Sequence, residues 1–187
     1  VVMATDPDAD RLGIYALDRK TGEYVPFTGN MSGMLIAEYI LRERTATKTM
    51  PENPALVTTI VTTNMAHAIT KAYGIKLIEV LTGFKYIGEQ IKLFEQTGSN
   101  TYLFGFEESY GYLAGSYVRD KDAVVASMLI VEMASYYHKQ GISLLLVNSV
   151  KGAHLFDALS LHREKRTMEE AKACNEALCA PPSAAPE

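Results

Sequence analysis

Apolar and polar positions fall in blocks whose lengths and periods assign most of the chain. Val1 to Ala4 is an apolar run that ends at a carboxylate-rich loop, and Leu12 to Leu17 and Tyr24 to Phe27 read as two short strands. Between them DRKTGEY, with Gly22, marks a hairpin, so the pair is expected to be antiparallel. From Asn30 to about Arg44, Met34, Leu35, Ala37, Ile40 and Leu41 supply the apolar face of a helix. TATKTMPENP follows, polar and with two prolines, and is the best domain boundary in the chain.

Beyond it the alternation becomes regular. Ala55 to Thr62 is β-branched and apolar like a buried strand, Asn64 is placed to cap a helix running to Tyr73, and Gly74 stops that helix. Ile75 to Leu81 is a strand, Thr82-Gly83 turns the chain into a helix from about Tyr86 to Gln96, Gly98 ends it, and Thr101 to Phe106 is a third strand. After a loop from Glu107 to Lys121, Asp122 caps a long helix from Ala123 to Gln140 with Gly141 as its stop. In the tail, MEEAKACNEAL reads as helical and APPSAAPE as loose. The order β-α-β-α-β predicts an α/β fold: a mainly parallel sheet covered by helices on both faces, a three-layer α/β/α arrangement, with a partial second α/β unit at the N-terminus.

Composition supports a globular chain long enough for one sizeable core or two small ones, with 187 residues, 48% hydrophobic and 21% charged. A net charge of −4 gives no electrostatic reason to expect nucleic acid or an anionic membrane as partner, so any phosphate must be bound locally. The longest apolar stretch, Ala123 to Val131, meets Glu132 far short of a bilayer span, and no transmembrane segment is expected. The first residue is Val and five residues precede the carboxylates, so no signal peptide is expected and the chain is expected to begin within a domain. Cys174 and Cys179 fit neither a metal pair nor a disulfide framework and read as free thiols in a reducing cytoplasm. His67, His138, His154 and His162 have no partner at ligand spacing and read as structural or surface residues.

Ligands of such sheets gather beyond the carboxyl ends of the strands, which selects the loops to weigh. In DPDADR, Asp6, Asp8 and Asp10 place three carboxylates at every second position, followed by Arg11. Without a cation they would repel one another; together they form an oxygen-rich site for a hard cation such as Mg²⁺. A calcium EF-hand loop would need glycine and glutamate where this chain has Arg11 and Leu17. An aspartyl-nucleophile phosphatase and a merely solvated acidic turn both survive local inspection. In TGFKYIG, a glycine turn opens a helix whose free N–H groups suit an anionic oxygen, with Lys85 adding charge, although such turns are also ordinary punctuation. In GFEESYGYLAG, Glu107 can accept from adjacent sugar hydroxyls in a bidentate manner and Ser109 can donate or accept beside it, against the bland alternative of a solvated acidic pair. Lys121 in RDKD stands beside a helix N-terminus that disfavours its charge while Asp120 and Asp122 favour it; it is a candidate proton donor or phosphate contact, against an ordinary surface lysine.

DPDADR, TGFKYIG, GFEESYG and RDKDAV, in this order and with α/β segments between, resemble the α-D-phosphohexomutase family, the phosphoglucomutases and phosphomannomutases, over about residues 1–141. That resemblance implies four domains in the complete protein. Residues 1–46 would be the C-terminal part of domain 2, 47–142 domain 3, and 143–187 the connection toward domain 4. It implies that Asp6, Asp8 and Asp10 hold Mg²⁺ with Arg11 nearby in the active site, that Glu107 and Ser109 bind the sugar, that Thr82, Gly83 and Lys85 form a substrate-contacting turn, and that Lys121 is an acid/base residue. Many members have glycine where this chain has Pro7, and the doubled glutamate Glu107-Glu108 looks like the glucose-selective branch.

The resemblance further implies a phosphoserine from domain 1 that phosphorylates a hexose phosphate, giving a bisphosphate that reorients and returns the other phosphate. Neither that serine motif nor the phosphate loop of domain 4 is found in this sequence. The partners implied are therefore a phosphorylated hexose and domains 1 and 4 of the parent chain, in the cytoplasm, and the chain by itself is expected to be inactive and to bind Mg²⁺ weakly or not at all. A phosphatase would instead trap a beryllium fluoride mimic on Asp6. A non-catalytic binding module would come from a parent lacking the serine and phosphate loops.

Overall fold

The structure is a computed structural model that describes residues 1–18 and 21–140. It opens with three strands, β1 (Val2–Thr5), β2 (Leu12–Leu17) and β3 (Tyr24–Phe27), paired antiparallel in the order β1-β2-β3. Gly22, with φ +75°, turns the second hairpin as its sequence requires. Alternation along β2 sends Leu12, Ile14 and Ala16 inward while Tyr15 and Leu17 stay exposed, the period-2 pattern of a sheet covered on one face.

The helix α1 (Gly29–Ala46) begins at Thr28, whose hydroxyl accepts from Met31 N at 3.2 Å. Then come β4 (Pro54–Thr59), α2 (Met65–Tyr73), β5 (Lys76–Val80), α3 (Phe84–Thr97), β6 (Thr101–Glu107), β7 (Gly111–Ala114) and α4 (Ala123–Lys139). The second sheet has the order β5-β4-β6-β7. β4 pairs parallel with β5 and β6, whereas β7 is antiparallel to β6. Central β4 is buried from Ala55 through Thr59, as a strand covered on both faces must be. Ala55, Val57, Val80 and Tyr102 meet Phe84, Ile87, Ile91 and Phe94 of α3 in one core cluster. On the other side α1 packs on β6, with Phe106 against Gly33, and touches α2 and α4, completing three α/β/α layers.

Four expectations change. The segment from Glu107 to Lys121 is not all loop, because Gly111–Ala114 returns as β7 and makes the sheet mixed. The expected α/β unit at the N-terminus is an antiparallel sheet, and its helix lies on the second sheet; TATKTMPENP therefore links α1 to β4 rather than dividing two packing units. The strand expected to reach Thr62 stops at Thr59, since the Thr62 hydroxyl folds back to accept from Thr59 N at 3.1 Å. Asn64 makes no side-chain cap: its backbone is already helical, with φ −60°, and the Thr63 hydroxyl accepts from Met65 N instead. Gly74 and Gly98 terminate their helices in the left-handed conformation, as expected. Gly141, the tail helix, Cys174, Cys179, His154, His162 and residues 143–187 lie outside the described residues. Among the described residues no helix is long and apolar enough to cross a membrane.

Asp122 caps α4 as expected, its Oδ1 accepting from Val124 N at 2.8 Å and Val125 N at 3.0 Å. Partial burial works against its charge, but the Tyr117 hydroxyl and these two amides outweigh that and hold its carboxyl below the ordinary range. Asp122→Ala is expected to destabilise the chain by about 1 kcal/mol in urea unfolding at neutral pH. A carboxyl acidified by folding stabilises above its unfolded pKa and loses that contribution as pH falls through its folded value, so the gap between the two proteins narrows in acid. A gap that widens below the carboxylate range would contradict the capping role.

Candidate active site

The carboxylates of DPDADR converge because the loop is a tight turn rather than an extended segment. Asp6 Oδ1 accepts from Asp10 N at 3.1 Å and Arg11 N at 3.0 Å, and Ala9 N donates to Asp6 O at 3.0 Å. Ala9 takes φ +56°, a conformation that costs a non-glycine residue energy and that the surrounding bonds must hold. The amide of Arg11, foremost, holds the Asp6 carboxyl below its ordinary pKa. One oxygen from each of Asp6, Asp8 and Asp10 lies within 4.8 Å of the others. Arg11 Nε stands 3.7 Å from Asp6 Oδ2 and 3.7 Å from Asp10 Oδ1, its side chain largely in solvent.

Backbone bonds fix this loop to the second sheet. Ala123 N at the start of α4 donates to Ala9 O at 3.1 Å, Leu12 N donates to Tyr110 O at 3.1 Å, and Arg11 pairs with Gly111 as an antiparallel bridge. Lys121, only 15% exposed, thereby puts Nζ 2.9 Å from Asp10 Oδ2 and 3.3 Å from Asp120 Oδ1. Burial opposes its charge, yet the hydrogen bond to Asp10 and the charge of Asp120 prevail, and its pKa is raised. Glu107, buried at the end of β6, shares a neighbour with it: a Cβ at Gly111 would lie 2.3 Å from Lys121 Cδ and 2.9 Å from Glu107 Oε1. Only glycine at 111 lets both side chains approach.

This convergence lies at the carboxyl end of a sheet whose sequence, over residues 28–151, matches the family model described as phosphoglucomutase/phosphomannomutase, alpha/beta/alpha domain III. The chain belongs to that family. Two of its relatives are a phosphomannomutase of Mycoplasma pneumoniae, 37% identical over 146 residues (78% of this chain and 25% of the relative), and a phosphoglucomutase of Staphylococcus epidermidis, 36% identical over 141 residues (75% and 24%). The chain thus spans about a quarter of the length of these curated relatives. Its fold is shared with a phosphoglucomutase/phosphomannomutase family protein of Burkholderia thailandensis, at TM-score 0.58 and 19% identity over 81% of this chain and 29% of that one. It is shared also with the N-acetylphosphoglucosamine mutase of Aspergillus fumigatus in complex with GlcNAc-6P and magnesium, at TM-score 0.56 and 16% identity over 78% and 32%.

In this member of the phosphoglucomutase/phosphomannomutase family the residues singled out from sequence do not all meet. Asp6, Asp8, Asp10, Arg11, Glu107 and Lys121 form one cluster. Ser109 is half-buried at the tip of the β6–β7 hairpin. Thr82 and Lys85 are exposed at the start of α3, Gly83 takes φ +109°, and Lys85 Nζ lies 4.8 Å from the Tyr86 ring centroid. That turn meets the cluster through Phe84, which sequence reasoning passed over; its buried ring lies 5.6 Å from Lys121 Nζ. A large aromatic directly after a turn glycine was the available signal. Gly111 was missed as well and leaves no trace in sequence beyond being a glycine, whereas Asp120 favours the charge of Lys121 as expected.

Proposed function

We propose that this chain supplies the metal and sugar-recognition loops of a phosphohexomutase that interconverts hexose 1-phosphate and hexose 6-phosphate, glucose being the preferred sugar, in the cytoplasm. The observation that carries it is the single cluster of three carboxylates, Glu107 and Lys121. Mg²⁺ fits the carboxylates: the donors are all hard oxygens, and Asp10 Oδ1 is buried without a hydrogen-bond donor, an acceptor left for a cation. Asp6, Asp8 and Asp10 would hold it, and its charge would neutralise a transferring phosphoryl group. Glu107 accepts from sugar hydroxyls, Ser109 supports it, and Arg11 with the Thr82, Gly83 and Lys85 turn contacts phosphate. Lys121, pointed at Asp10 in the cluster, is assigned the acid role toward the leaving oxygen; its raised pKa keeps it charged and by itself makes it a weaker acid.

That the chain spans about a quarter of its curated relatives' length supports the reading that further catalytic groups lie in other domains. We assign residues 1–27 to the end of domain 2 and residues 28–151, the span of the family model, to domain 3; the phosphoserine and phosphate loop would come from domains 1 and 4. Positioning and charge neutralisation carry phosphoryl transfer, so part of a cleft completes no turnover. The 187-residue chain is expected to give no sustained conversion of glucose 1-phosphate with an activating bisphosphate and Mg²⁺. Turnover above that of a variant with Asp6, Asp8 and Asp10 all changed to Ala would overturn the domain-fragment reading. The full reading is tested by deleting residues 1–140 from the complete polypeptide, which must abolish its mutase activity.

A further inference from the structure

The second glutamate of the hairpin tip, Glu108, was passed over in favour of Glu107, yet it has a partner in another strand. Thr59, the last residue of β4 and fully buried, donates from Oγ1 to Glu108 Oε2 at 3.0 Å. The same Oγ1 lies 2.9 Å from Thr62 Oγ1, and Thr62 Oγ1 accepts from Thr59 N. A hydroxyl has one proton, so the direction is settled. Thr59 gives its proton to the carboxylate, Thr62 gives its own to Thr59, and the Thr59 amide feeds Thr62. The chain of donors ends on a charged acceptor, the stronger kind of hydrogen bond.

Other contacts fix the same tip from different sides. At Gly29, the first residue of α1, a Cβ would lie 2.1 Å from Glu108 O and 2.8 Å from Tyr110 N, so the helix start rests on the tip's backbone. Tyr110 takes φ +70° and closes the three-residue link between Glu107 and Gly111, while its carbonyl accepts from Leu12 N. Adjacent carboxylates repel, and here they are parted: Glu107 lies against Gly111, Glu108 against Thr59.

We propose that Glu108 is a positioning residue, held by the Thr59–Thr62 hydroxyl relay, that sets the tilt of the hairpin tip so that Glu107 and Ser109 meet adjacent hydroxyls of the sugar. It does not touch the sugar itself. This rests on the reading of Glu107 and Ser109 as sugar ligands given above. On this reading the bond stands both before and after substrate binds, so its loss weakens ground and transition states alike and appears in KM rather than kcat.

The test is steady-state kinetics of the complete mutase polypeptide with glucose 1-phosphate, comparing Thr59→Val, Thr59→Ser, Glu108→Met and Glu108→Gln. Thr59→Val and Glu108→Met are each expected to raise KM about tenfold with kcat within about threefold. Thr59→Ser and Glu108→Gln, which keep donor and acceptor, stay within about threefold of the parent. The double variant Thr59→Val/Glu108→Met is no worse than either alone, because one bond is lost in each case. Unchanged KM in both bond-breaking variants, or additive losses in the double, would overturn the proposal. A fall in melting temperature without a KM change would do so too. Should Thr59→Val not fold, the Glu108 pair decides alone. Glu107→Gln is the control: if it cripples the enzyme while the Thr59 and Glu108 variants do not, this proposal fails and the sugar-site reading stands; if Glu107→Gln is silent, that reading fails.

Discussion

On the proposed function, Glu107→Gln in the complete polypeptide is expected to lower kcat/KM for glucose 1-phosphate by about a hundredfold. The carboxylate sits buried at the end of β6, where two acceptor oxygens of one charged group can take two neighbouring hydroxyls. Glutamine keeps one acceptor and turns the other into a donor that faces a hydroxyl needing an acceptor. Each charged hydrogen bond is worth about 1.5–3 kcal/mol, so losing one and mispairing its neighbour reaches about two orders of magnitude. The substitution nearly conserves volume, so the melting temperature should move by little. Mg²⁺ dependence of the residual activity should be unchanged, since no metal-loop carboxylate is altered. Parent-like kinetics would remove Glu107 from the sugar site.

Lys121→Met is expected to lower kcat by about 10² to 10⁴, the usual range for removing a positioned acid or base. Methionine replaces the stem that packs at Gly111 and below Phe84, so the loss isolates the ammonium. Lys121→Arg separates two explanations. It retains the charge beside Asp10 and Asp120 but does not give up a proton, so it rescues a purely electrostatic role and fails to rescue an acid. We expect no rescue. An arginine variant as active as the parent would reduce Lys121 to a phosphate contact, and a methionine variant as active as the parent would remove it altogether.

Elements with a clean local signal were legible in the residues themselves. Gly22, Gly74 and Gly98 sit where a left-handed residue is needed, and Asp122 caps a helix whose apolar run makes its start plain. Strand β7 was not legible, because Gly111 to Ala114 is short and lies between a hairpin tip and a glycine-rich turn; it is a strand only through its pairing with β6. Asn64 looked like a cap on local grounds, but a threonine one position earlier took the amide. The gathering of Asp6, Asp8 and Asp10 was legible because three like charges at such spacing need a cause. The packing of α1 was not: helix faces do not say which sheet they cover, and a proline-rich polar link looks the same between domains as between α1 and β4. The pairing of Thr59 with Glu108 was invisible for a further reason. Their bond spans 49 positions and involves two residue types that are common on surfaces.

The bonds from Ala123 to Ala9 and from Leu12 to Tyr110, with the Arg11–Gly111 bridge, join the first sheet to the second at the places where Asp10, Lys121 and Glu107 stand. Seam and charged cluster are therefore one object. A tilt of the three-stranded sheet would alter the gap between Asp10 and Lys121, which stand on either side of that seam. Substitutions along the seam, such as any side chain at Gly111, then register as misalignment of the chemistry before they register as loss of fold.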